Sequence, residues 1–572
     1  MKPVRLPASA TLALPRWGLF ALCLLYILPG LVRRDPWKSD DAAGFGIMWT
    51  MARGGLDDWL LPHIVGLPVP EEGPLAFWIG AIFIRLFGWL LGDALGARIA
   101  TIGFFLIGAM SVWYATYLLG RRTEAQPLSL AFGGQPEPRD FGRTLADGAL
   151  LIYLASLGLL LRSHETTAEA LQISLVAFAM YVSVLLFESR SARAAIILGV
   201  TLGLLVLTRG WVLPLALWIA LLVTAALRDR ATALLLILVS LPFAMLIAAS
   251  WPFAIHLAQP PNGAAALDAW MAWNRTQAGW PVQSTLSYLP RYGIWYAWPA
   301  WPFAAWAVYA WRKQARALHI VLPLAFLAAF ALLALLNPHP DEAVLLPLLP
   351  PLAILAAFGL PTMKRGAINA VDWFSVMTLT TCAAFIWVGW IAKQTGWPAQ
   401  IAKNAFKLAP GFRPEFNLIA FLIALVASIG WIMLVHWRLS RQPSVLWRAV
   451  VLSSGGVILC WLLLMTLWLP WLNYGKSYSG VAQQIAVKLP KTAYCVDTNV
   501  GPAQRSSFAY FGGVDFARFG EHRCDYLLLQ DNINNKDGAR LLAEYPGRWK
   551  QLWEGRRPSD RDERFRLYQR VK

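Results

Sequence analysis

The chain has 572 residues, of which 58% are hydrophobic and 14% charged. Repeated apolar runs approach the ~20 residues needed to cross a ~30 Å hydrocarbon core, which excludes a soluble domain with one anchor and predicts a polytopic α-helical membrane protein. Much of the Lys and Arg behind the formal charge of +18 lies in short clusters between those runs, where it orients spans in a bilayer. No nucleic-acid-binding motif accompanies the charge, so we expect no nucleic acid among the partners.

The first apolar run, residues 17–32, follows a short basic start and predicts an uncleaved first span, because Arg33-Arg34-Asp35 rather than a small-residue cleavage site comes after it. We place the N-terminus in the cytoplasm and residues 33–73 in a first periplasmic loop. Residues 74–92 and 94–120 are both apolar enough to span. Since the basic segment 121–143 indicates cytoplasm, only one of them can cross, and we predict an interfacial or half-inserted helix at 74–92.

Apolar runs separated by basic clusters continue along the chain, and the clusters mark the cytoplasmic side. They predict spans near residues 145–161, 171–187, 194–207, 211–227, 231–253, 292–311, 320–336, 343–360, 375–391, 418–436 and 450–470. Residues 254–290, rich in Trp, Pro and Asn, form a second long periplasmic loop. With the runs at 17–32 and 94–120 the total is about thirteen, an odd number that places the tail opposite the N-terminus.

The tail after residue 472 has a different composition. Short strand-like runs alternate there with helix-like stretches, which predicts a periplasmic α/β domain over residues 473–572, large enough for its own core. It contains no catalytic motif, so we expect a lid or a docking module. Cys495 and Cys524 both fall in it and, on an oxidising side, either form a disulfide or remain free thiols.

Polar residues from four external segments fall on the periplasmic face. They are Asp40, Asp41, His63, Glu71 and Glu72 in the first loop, Glu165 and Glu169 before the span at 171, Asn274 and Arg275 in the second loop, and His339, Asp341 and Glu342 before the span at 343. Adjacent carboxylates at the rim of a hydrocarbon slab are costly to desolvate, so they are kept in water or where a cation or chemistry needs them. Such a set suits deprotonation of a hydroxyl or amine, or binding of a cation that neutralises a phosphate leaving group.

The acidic candidates also have structural explanations. Asp40 and Asp41 can be a solvated pair or the cap of a short interfacial helix. Glu71 can cap the helix that follows it. Glu165 and Glu169 can be first-turn residues of the next span, because a helix N-terminus favours acidic side chains. Burial and partners in the folded chain decide between these explanations and a functional role.

The order of several short motifs resembles the polyprenyl-phosphate-dependent GT-C glycosyltransferases, with the bacterial aminoarabinose lipid A transferases nearest and the protein O-mannosyltransferases more distant. The motifs are an acidic pair at 40–41, Pro-His-x-x-Gly at 62–66, an acid before Pro-Leu-x-x-Trp at 74–78, Leu-Phe-Gly at 86–88 with Arg98 following, Leu-Thr-Arg-Gly at 207–210 and Leu-Pro-Leu-Leu-Pro at 346–350. The resemblance covers nearly the whole chain and implies a GT-C fold over residues 1–472, in a bacterial inner membrane.

The resemblance implies roles for individual residues. Asp40 matches the acid that acts as base or orients the acceptor, with Asp41 beside it, so both are expected to be catalytic. Glu71 matches the acid ahead of the Pro-Leu element and Glu169 an acid that opens a later span, and both are expected to bind substrate. Glu71 is also the candidate ligand for a divalent metal ion, the cofactor we consider. The further substrate-binding candidates on this rim are His63 and His339.

The positions at which this sequence departs from the family pattern are ones expected to bind the donor. The Lys expected after Glu71 is Glu72, the first of two prolines is Gly73, and the element at 341–347 lacks its Lys and Tyr. Those groups are expected to meet the lipid phosphate. The donor site is therefore either rebuilt, around Arg34, Lys38 or Arg275, or weakened. The second long loop also lacks an evident Glu-His pair, which argues against a metal site of the aminoarabinose type.

The function implied is transfer of a sugar from a polyprenyl-phosphate donor to a periplasmic-side acceptor by a single inverting displacement. The acceptor is left open between lipid A, another glycolipid, a glycan and a protein. One alternative is a scaffold or pseudoenzyme of the same fold with a weakened donor site. A lipid transporter is less favoured, because it would need internal repeats or charges near the bilayer midplane.

Overall fold

The structure is a computed structural model that describes residues 4–12, 14–441, 445–492, 494–518, 524–534 and 538–571. It consists of a large helical part followed by a small mixed domain.

The helices of the first third are α1 (Arg16–Ile27), α2 (Asp40–Arg53), α3 (Leu56–Leu60), α4 (Leu75–Leu91), α5 (Asp93–Arg121), α6 (Pro138–Ala155), α7 (Leu157–Arg162) and α8 (Ala168–Ser189). The middle third contains α9 (Ala192–Thr208), α10 (Val212–Arg228), α11 (Arg230–Leu235), α12 (Leu241–Ala258), α13 (Gly263–Thr276), α14 (Gln283–Tyr296), α15 (Ala300–Trp311), α16 (Leu318–Leu336), α17 (Glu342–Leu345) and α18 (Leu349–Ala357). The last third contains α19 (Arg365–Thr395), α20 (Ala399–Leu408), α21 (Leu418–Arg441), α22 (Arg448–Leu467), α23 (Leu469–Lys476), α24 (Ser479–Ala486), α25 (Pro502–Gly512) and α26 (Gly538–Ala543).

Short 3₁₀ turns and one π-turn lie between these helices. The 3₁₀ turns are Ala8–Thr11, Arg312–Gln314, Leu346–Leu348 and Leu360–Thr362, and the π-turn Leu236–Ser240 joins α11 to α12.

The strands form two sheets. A two-residue hairpin in the first loop pairs β1 (His63–Ile64) with β2 (Leu67–Pro68). The tail holds a four-stranded sheet of β3 (Val496–Thr498), β4 (Tyr526–Asn532), β5 (Trp549–Gly555) and β6 (Glu563–Arg570), in the order β3-β4-β6-β5. β3 runs parallel to β4 and the other neighbours are antiparallel, with Leu528 opposite Leu567. Helices α24 and α25 pack on this sheet through a separate apolar core.

Nine helical stretches in the described part of the chain are long and apolar enough to cross a membrane, and three shorter apolar helices, α4, α9 and α10, accompany them. The span of α8 is 78% buried, against 17% for α11–α12 and 11% for α21, so α8 lies in the centre of the bundle and the other two at its edge. Two predicted spans are divided: 145–161 breaks between α6 and α7, and 292–311 covers the end of α14 and all of α15. The count of thirteen stays a prediction.

Helix α4 contacts the first loop at two points. Near its start, Trp78 donates from Nε1 to the Trp59 carbonyl at 2.6 Å. Further along, Arg85 donates to the carbonyls of Ala52 and Gly54 at 2.8 and 3.1 Å. These contacts are compatible with an interfacial helix, and the non-crossing α4 stays a prediction.

The tail domain is tied to the first loop. Arg505 on α25 donates from Nε to the Val65 carbonyl at 2.9 Å, and the Lys38 amide donates to the Lys476 carbonyl at 2.9 Å. A Cβ on Gly46 would lie 2.6 Å from the Ser506 Cβ, so α2 and α25 touch at a distance only glycine allows. The domain boundary predicted at residue 473 falls within α23 and stays a prediction. Cys495 and Cys524 form a disulfide, which decides between the two alternatives left open.

The position of α4 can be tested by cysteine labelling in intact cells, with the free cysteines Cys23, Cys382 and Cys460 first replaced by alanine. We expect Leu91→Cys, at the end of α4, to react with an impermeant maleimide as readily as Asp57→Cys in the first loop. Phe132→Cys, in the segment predicted to be cytoplasmic, should react only after the cells are opened. Protection of position 91 until lysis would instead show that α4 crosses the membrane.

Candidate functional site

A cavity of about 1220 Å³ lies between the helical part and the tail domain. Its helix-side wall carries charged groups that include Asp40, Glu71, Glu72, Arg162, Glu169 and Arg209. Its tail-side wall includes Tyr478, Gln504, Gln530, Arg557 and Glu563. The structure therefore brings four predicted site residues to one cavity, namely Lys38, Asp40, Glu71 and Glu169.

Asp40 occupies the first turn of α2, where the helix N-terminus favours a carboxylate. Its side chain is 52% exposed and accepts a hydrogen bond from Arg162 Nη1 at 2.6 Å through Oδ2. This charge-assisted bond keeps the carboxylate oriented while leaving Oδ1 open to the cavity. Asp40 is thus placed where a reacting hydroxyl could meet it.

Asp41 is buried behind Asp40 and does not line the cavity. Its Oδ2 accepts from Arg34 at 2.8 Å and lies 3.4 Å from Arg98, while Oδ1 accepts from the amide and hydroxyl of Thr166, both at 2.9 Å. Burial by itself would raise the pKa of Asp41, but the charges of Arg34 and Arg98 hold that pKa below its usual value. Because both carboxylate oxygens of Asp41 already accept hydrogen bonds, the expected catalytic role is corrected, and Asp41 is a positioning residue.

Arg162, the last residue of α7, contacts acids from three segments. Its guanidinium lies 2.6 Å from Asp40, 3.1 Å from Glu165 and 3.5 Å from Glu342. The side chain is 12% exposed, and its Nε has no hydrogen-bond partner within the described ranges. Our sequence reasoning missed this residue. The available signal was an arginine at the end of an apolar run followed within three positions by an acid.

Arg209 and Glu169 form the second ion pair of the helix-side wall, at 2.5 Å. Glu169 lies in the first turn of α8 and Arg209 in the turn between α9 and α10. The Arg209 guanidinium also lies 5.6 Å from the centre of the Trp273 ring, and its Nε has no partner among the residues that the structure describes. Arg209 was part of a quoted motif but was not predicted as a site residue.

A small apolar pocket of about 90 Å³ opens beside Arg209. It lies between α10, α16 and α17 and is lined by side chains such as Val212, Leu213, Phe330, Leu333, Val344 and Pro347. Arg209 and Asp341 line both this pocket and the large cavity. The polar cavity and this mainly apolar pocket, which Gln172, Asn274 and Gln277 also line, therefore meet at a guanidinium.

Glu71 and Glu72 follow the β-hairpin and face the same wall. Burial raises the pKa of Glu72 well above its usual range, and the carboxylates of Glu169 and Glu71 raise it further against the opposing charge of Arg209. Glu72, which replaces the family's Lys, is thus favoured in its neutral form and can donate a hydrogen bond.

Four predicted substrate-binding residues lie away from the cavity, and these expectations are corrected. Arg34 has a fully buried side chain and is engaged by Asp41 and the His164 carbonyl. His63 contacts Asp58 at 2.8 Å. Arg275, at the end of α13, and His339 are exposed and do not line the cavity. Lys38 does line it, 3.8 Å from Asp560 of the tail.

The acidic residues of the cavity do not fit a metal site. Within the described ranges no group of three or more His, Cys, Asp or Glu side chains is arranged to hold an ion. The carboxylate of Glu169 is neutralised by Arg209, and burial raises the pKa of Glu72, which disfavours its anionic, metal-binding form. We therefore route no chemical step through a metal, and Glu71 as a metal ligand is not supported.

No family model matches the chain. A curated undecaprenyl phosphate-alpha-4-amino-4-deoxy-L-arabinose arabinosyl transferase 1 of Pseudomonas fluorescens is 26% identical over 474 residues, which covers 77% of this chain and 74% of the relative. The corresponding transferase of Pseudomonas aeruginosa is 27% identical over the same shares. A second Pseudomonas fluorescens transferase is 32% identical, but the match spans only a fifth of its length, 20%.

Solved structures agree over a larger part of the chain. The crystal structure of ArnT from Cupriavidus metallidurans bound to undecaprenyl phosphate superposes with a TM-score of 0.66 and 14% identity, covering 96% of this chain and 97% of ArnT. The chain has the fold of ArnT. The apo form of ArnT gives a TM-score of 0.62 and 16% identity. The predicted resemblance to the aminoarabinose transferases is confirmed, as is the polytopic helical fold with a small C-terminal α/β domain.

The buried carboxyl of Glu165 offers a test of the site's electrostatics. Burial raises its pKa from 4.5 to about 8, against the lowering effect of Arg162. The folded chain therefore keeps this proton over a range in which the unfolded chain has lost it, so folding becomes less favourable as pH rises through that range. We expect Glu165→Gln to unfold at a higher temperature than the native protein at pH ~8 and the gap to shrink towards pH ~5.

The measurement is thermal unfolding in detergent at several pH values, with Glu188→Gln, an exposed glutamate on α8, as the matched control. A gap that does not change with pH would contradict the expectation.

Proposed function

We propose that this protein is an integral membrane glycosyltransferase that moves a sugar from undecaprenyl phosphate to a glycolipid acceptor of the lipid A type. The observation that carries the proposal is the position of Arg209, at the junction of the polar cavity and the apolar pocket. The donor carries its phosphate between a sugar and an isoprenoid chain. It therefore needs a polar cavity for the sugar, a cation for the phosphate and an apolar surface for the chain, in this order. The curated relatives are named for the same donor class, and ArnT was crystallised with undecaprenyl phosphate.

The donor phosphate is held by Arg209 and Arg162 in this proposal. Each has a buried Nε donor that lacks a partner within the described part of the chain. Such a donor costs about 1–3 kcal/mol while it is unsatisfied, so an anionic oxygen is a favourable partner for it. Guanidinium groups also match phosphate oxygens in geometry, which an ammonium does not. The two arginines supply the charge that the missing Lys and Tyr would have supplied.

This arrangement favours the rebuilt donor site over the weakened one. Of the cations expected to rebuild it, only Lys38 lines the cavity. The scaffold alternative was considered because the Lys and Tyr expected to bind the donor phosphate are missing. In this proposal Arg209 and Arg162 bind that phosphate instead, so the reason for considering a scaffold no longer applies. The charges of the cavity lie among loop and helix-end residues, not in the middle of spans, which argues against a transporter.

The chemistry proposed is a single displacement at the anomeric carbon. The acceptor oxygen forms a bond to that carbon as the bond to the phosphate oxygen breaks, and the electron pair of the broken bond stays on the phosphate. Arg209 and Arg162 neutralise the charge that develops there. Asp40 orients the acceptor hydroxyl and takes its proton, so the sugar is transferred with inversion.

The same proposal includes the orientation of the chain. We place the N-terminus in the cytoplasm and the cavity, with the tail domain, on the periplasmic side of a bacterial inner membrane. The Arg-rich segments at 121–143, 190–193 and 312–316 support this direction, because short cytoplasmic loops carry an excess of Lys and Arg. The disulfide in the tail also suits an oxidising compartment.

Replacing the two neighbouring aspartates separates catalysis from positioning. We expect Asp40→Asn to fold normally and to lose roughly 10²- to 10⁴-fold in transfer rate, the value of general-base catalysis. Asp41→Asn leaves Arg34 and Arg98 buried without a countercharge, and we expect it to lose about 3–5 kcal/mol of stability. Transfer is measured with labelled undecaprenyl-phosphate aminoarabinose and lipid A, and stability by thermal unfolding. A fully active Asp40→Asn protein would refute the assigned role.

The donor site is tested by binding of labelled undecaprenyl phosphate to the purified protein. Arg209→Gln is combined with Glu169→Gln, because both charges of the pair then disappear and no buried carboxylate is left alone. We expect affinity to fall roughly tenfold to a hundredfold, the loss of hydrogen bonds to a charged group. Arg275→Gln, an exposed arginine outside the cavity, is the control and should bind normally. Equal binding by both variants would remove Arg209 from the donor site.

A further inference from the structure

The tail-side wall of the cavity is organised around one carboxylate, Glu563 on β6. Its Oε1 accepts hydrogen bonds from Tyr478 Oη at 2.9 Å, Gln504 Nε2 at 3.1 Å and Gln530 Nε2 at 3.1 Å. Its Oε2 accepts from Arg557 Nε at 3.1 Å. The Glu563 side chain is 10% exposed, so these bonds form in a largely desolvated environment and are correspondingly strong.

This network sets the direction of two amide groups. A carboxylate accepts hydrogen bonds only, so Gln504 and Gln530 must turn their NH₂ groups towards Glu563. The carbonyl oxygen of each amide then points away from Glu563. Both glutamines line the cavity, so each can offer a ligand its carbonyl oxygen as an acceptor and the second N–H of its amide as a donor, as a sugar hydroxyl requires.

The backbone near Gln530 is not open to a ligand. Its amide donates to Asn499 Oδ1 at 2.7 Å, and its carbonyl accepts from Asn499 Nδ2 at 2.9 Å. β4 is also paired on both sides, with β3 and with β6. An extended peptide therefore cannot add to this strand, and recognition depends on side chains alone.

The charges of this wall disfavour a phosphate group. Asp531, Asp562 and Glu563 line it, and Asp531 is paired with Arg564 and Arg566 at 2.6 and 2.7 Å. Among the tail residues that line the cavity, the one arginine is Arg557, which is already engaged by Glu563 and by Asp560 at 2.7 Å. An anion would meet carboxylates there, whereas hydroxyl groups would meet acceptors. The cavity, about 1220 Å³, also exceeds the ~300–1,000 Å³ of common small-molecule pockets, which leaves room for more than the donor sugar.

We infer that Gln504 and Gln530, oriented by Glu563, form a subsite for the uncharged, hydroxyl-rich sugar ring of the acceptor. The inference rests on the proposed function and adds to it that the acceptor is recognised as a saccharide, by the tail domain, on the side of the cavity away from Arg209. The two glutamines determine acceptor specificity, and Glu563 is a positioning residue.

The test uses the full-length protein in proteoliposomes, with labelled undecaprenyl-phosphate aminoarabinose as donor and purified lipid A as acceptor. We expect the double variant Gln504→Leu/Gln530→Leu to raise KM for lipid A roughly tenfold or more, because two hydrogen bonds are lost. The KM for the donor and the binding of undecaprenyl phosphate should not change. Gln551→Leu, an exposed glutamine of the same domain on β5, is the matched control and should behave as the native protein.

A second measurement does not depend on turnover. Binding of a lipid-free glucosamine disaccharide to the native protein and to the double variant is followed by calorimetry, with a Ser/Thr peptide as the competing ligand class. Weaker disaccharide binding by the double variant supports the subsite even if the native protein transfers no sugar, in which case only the proposed function fails. An unchanged KM for lipid A together with unchanged disaccharide binding overturns the subsite, as does preferential binding of the peptide.

Discussion

The buried ion pairs of Asp41 with Arg34 and Arg98 are the constraint on which the site depends. Arg98 reaches from α5 to the carbonyls of the loop after α1, and Arg34 reaches from that loop to the Asp41 carboxylate and the His164 carbonyl. A charged side chain in the protein interior needs a partner of opposite charge, because an isolated buried charge costs several kcal/mol of folding free energy. The pairs therefore hold the first turn of α2 in one position, and Asp40, the preceding residue, faces the cavity.

The same requirement explains the chemistry of the helix-side wall. Its carboxylates are numerous, and three of them are compensated in different ways: Asp40 pairs with Arg162, Glu169 pairs with Arg209, and burial raises the pKa of Glu72. Because Arg162 and Arg209 keep unsatisfied donors after these pairs are made, the wall retains capacity for an anion. In the proposed function, the local cations Arg162 and Arg209, rather than the net charge of the cavity, determine where a lipid phosphate binds.

The tail domain completes the cavity and is not a separate module on a linker. It is held to the first loop by Arg505 and by the contact of α25 with α2. Its wall presents amide groups and carboxylates around Arg557, whereas the helix-side wall presents the guanidinium groups of Arg162 and Arg209 among its carboxylates. Under the proposed function, the donor phosphate binds at the two arginines of the helix-side wall and the acceptor saccharide at the amide groups of the tail.

The sequence by itself determined the membrane class, most of the span positions, the α/β tail and the first loop with Asp40, because hydropathy, charge clusters and strand patterns are local properties. Only the tertiary structure decided which charges meet. Arg162 contacts Asp40 from 122 positions away, and Glu563 collects Gln504 and Gln530 from 59 and 33 positions away. From the sequence, Arg34 was expected to be available for the donor phosphate, but in the folded chain its side chain is buried and paired with Asp41. Which charges pair depends on the distances between side chains in the folded protein, and these distances cannot be read from the sequence alone.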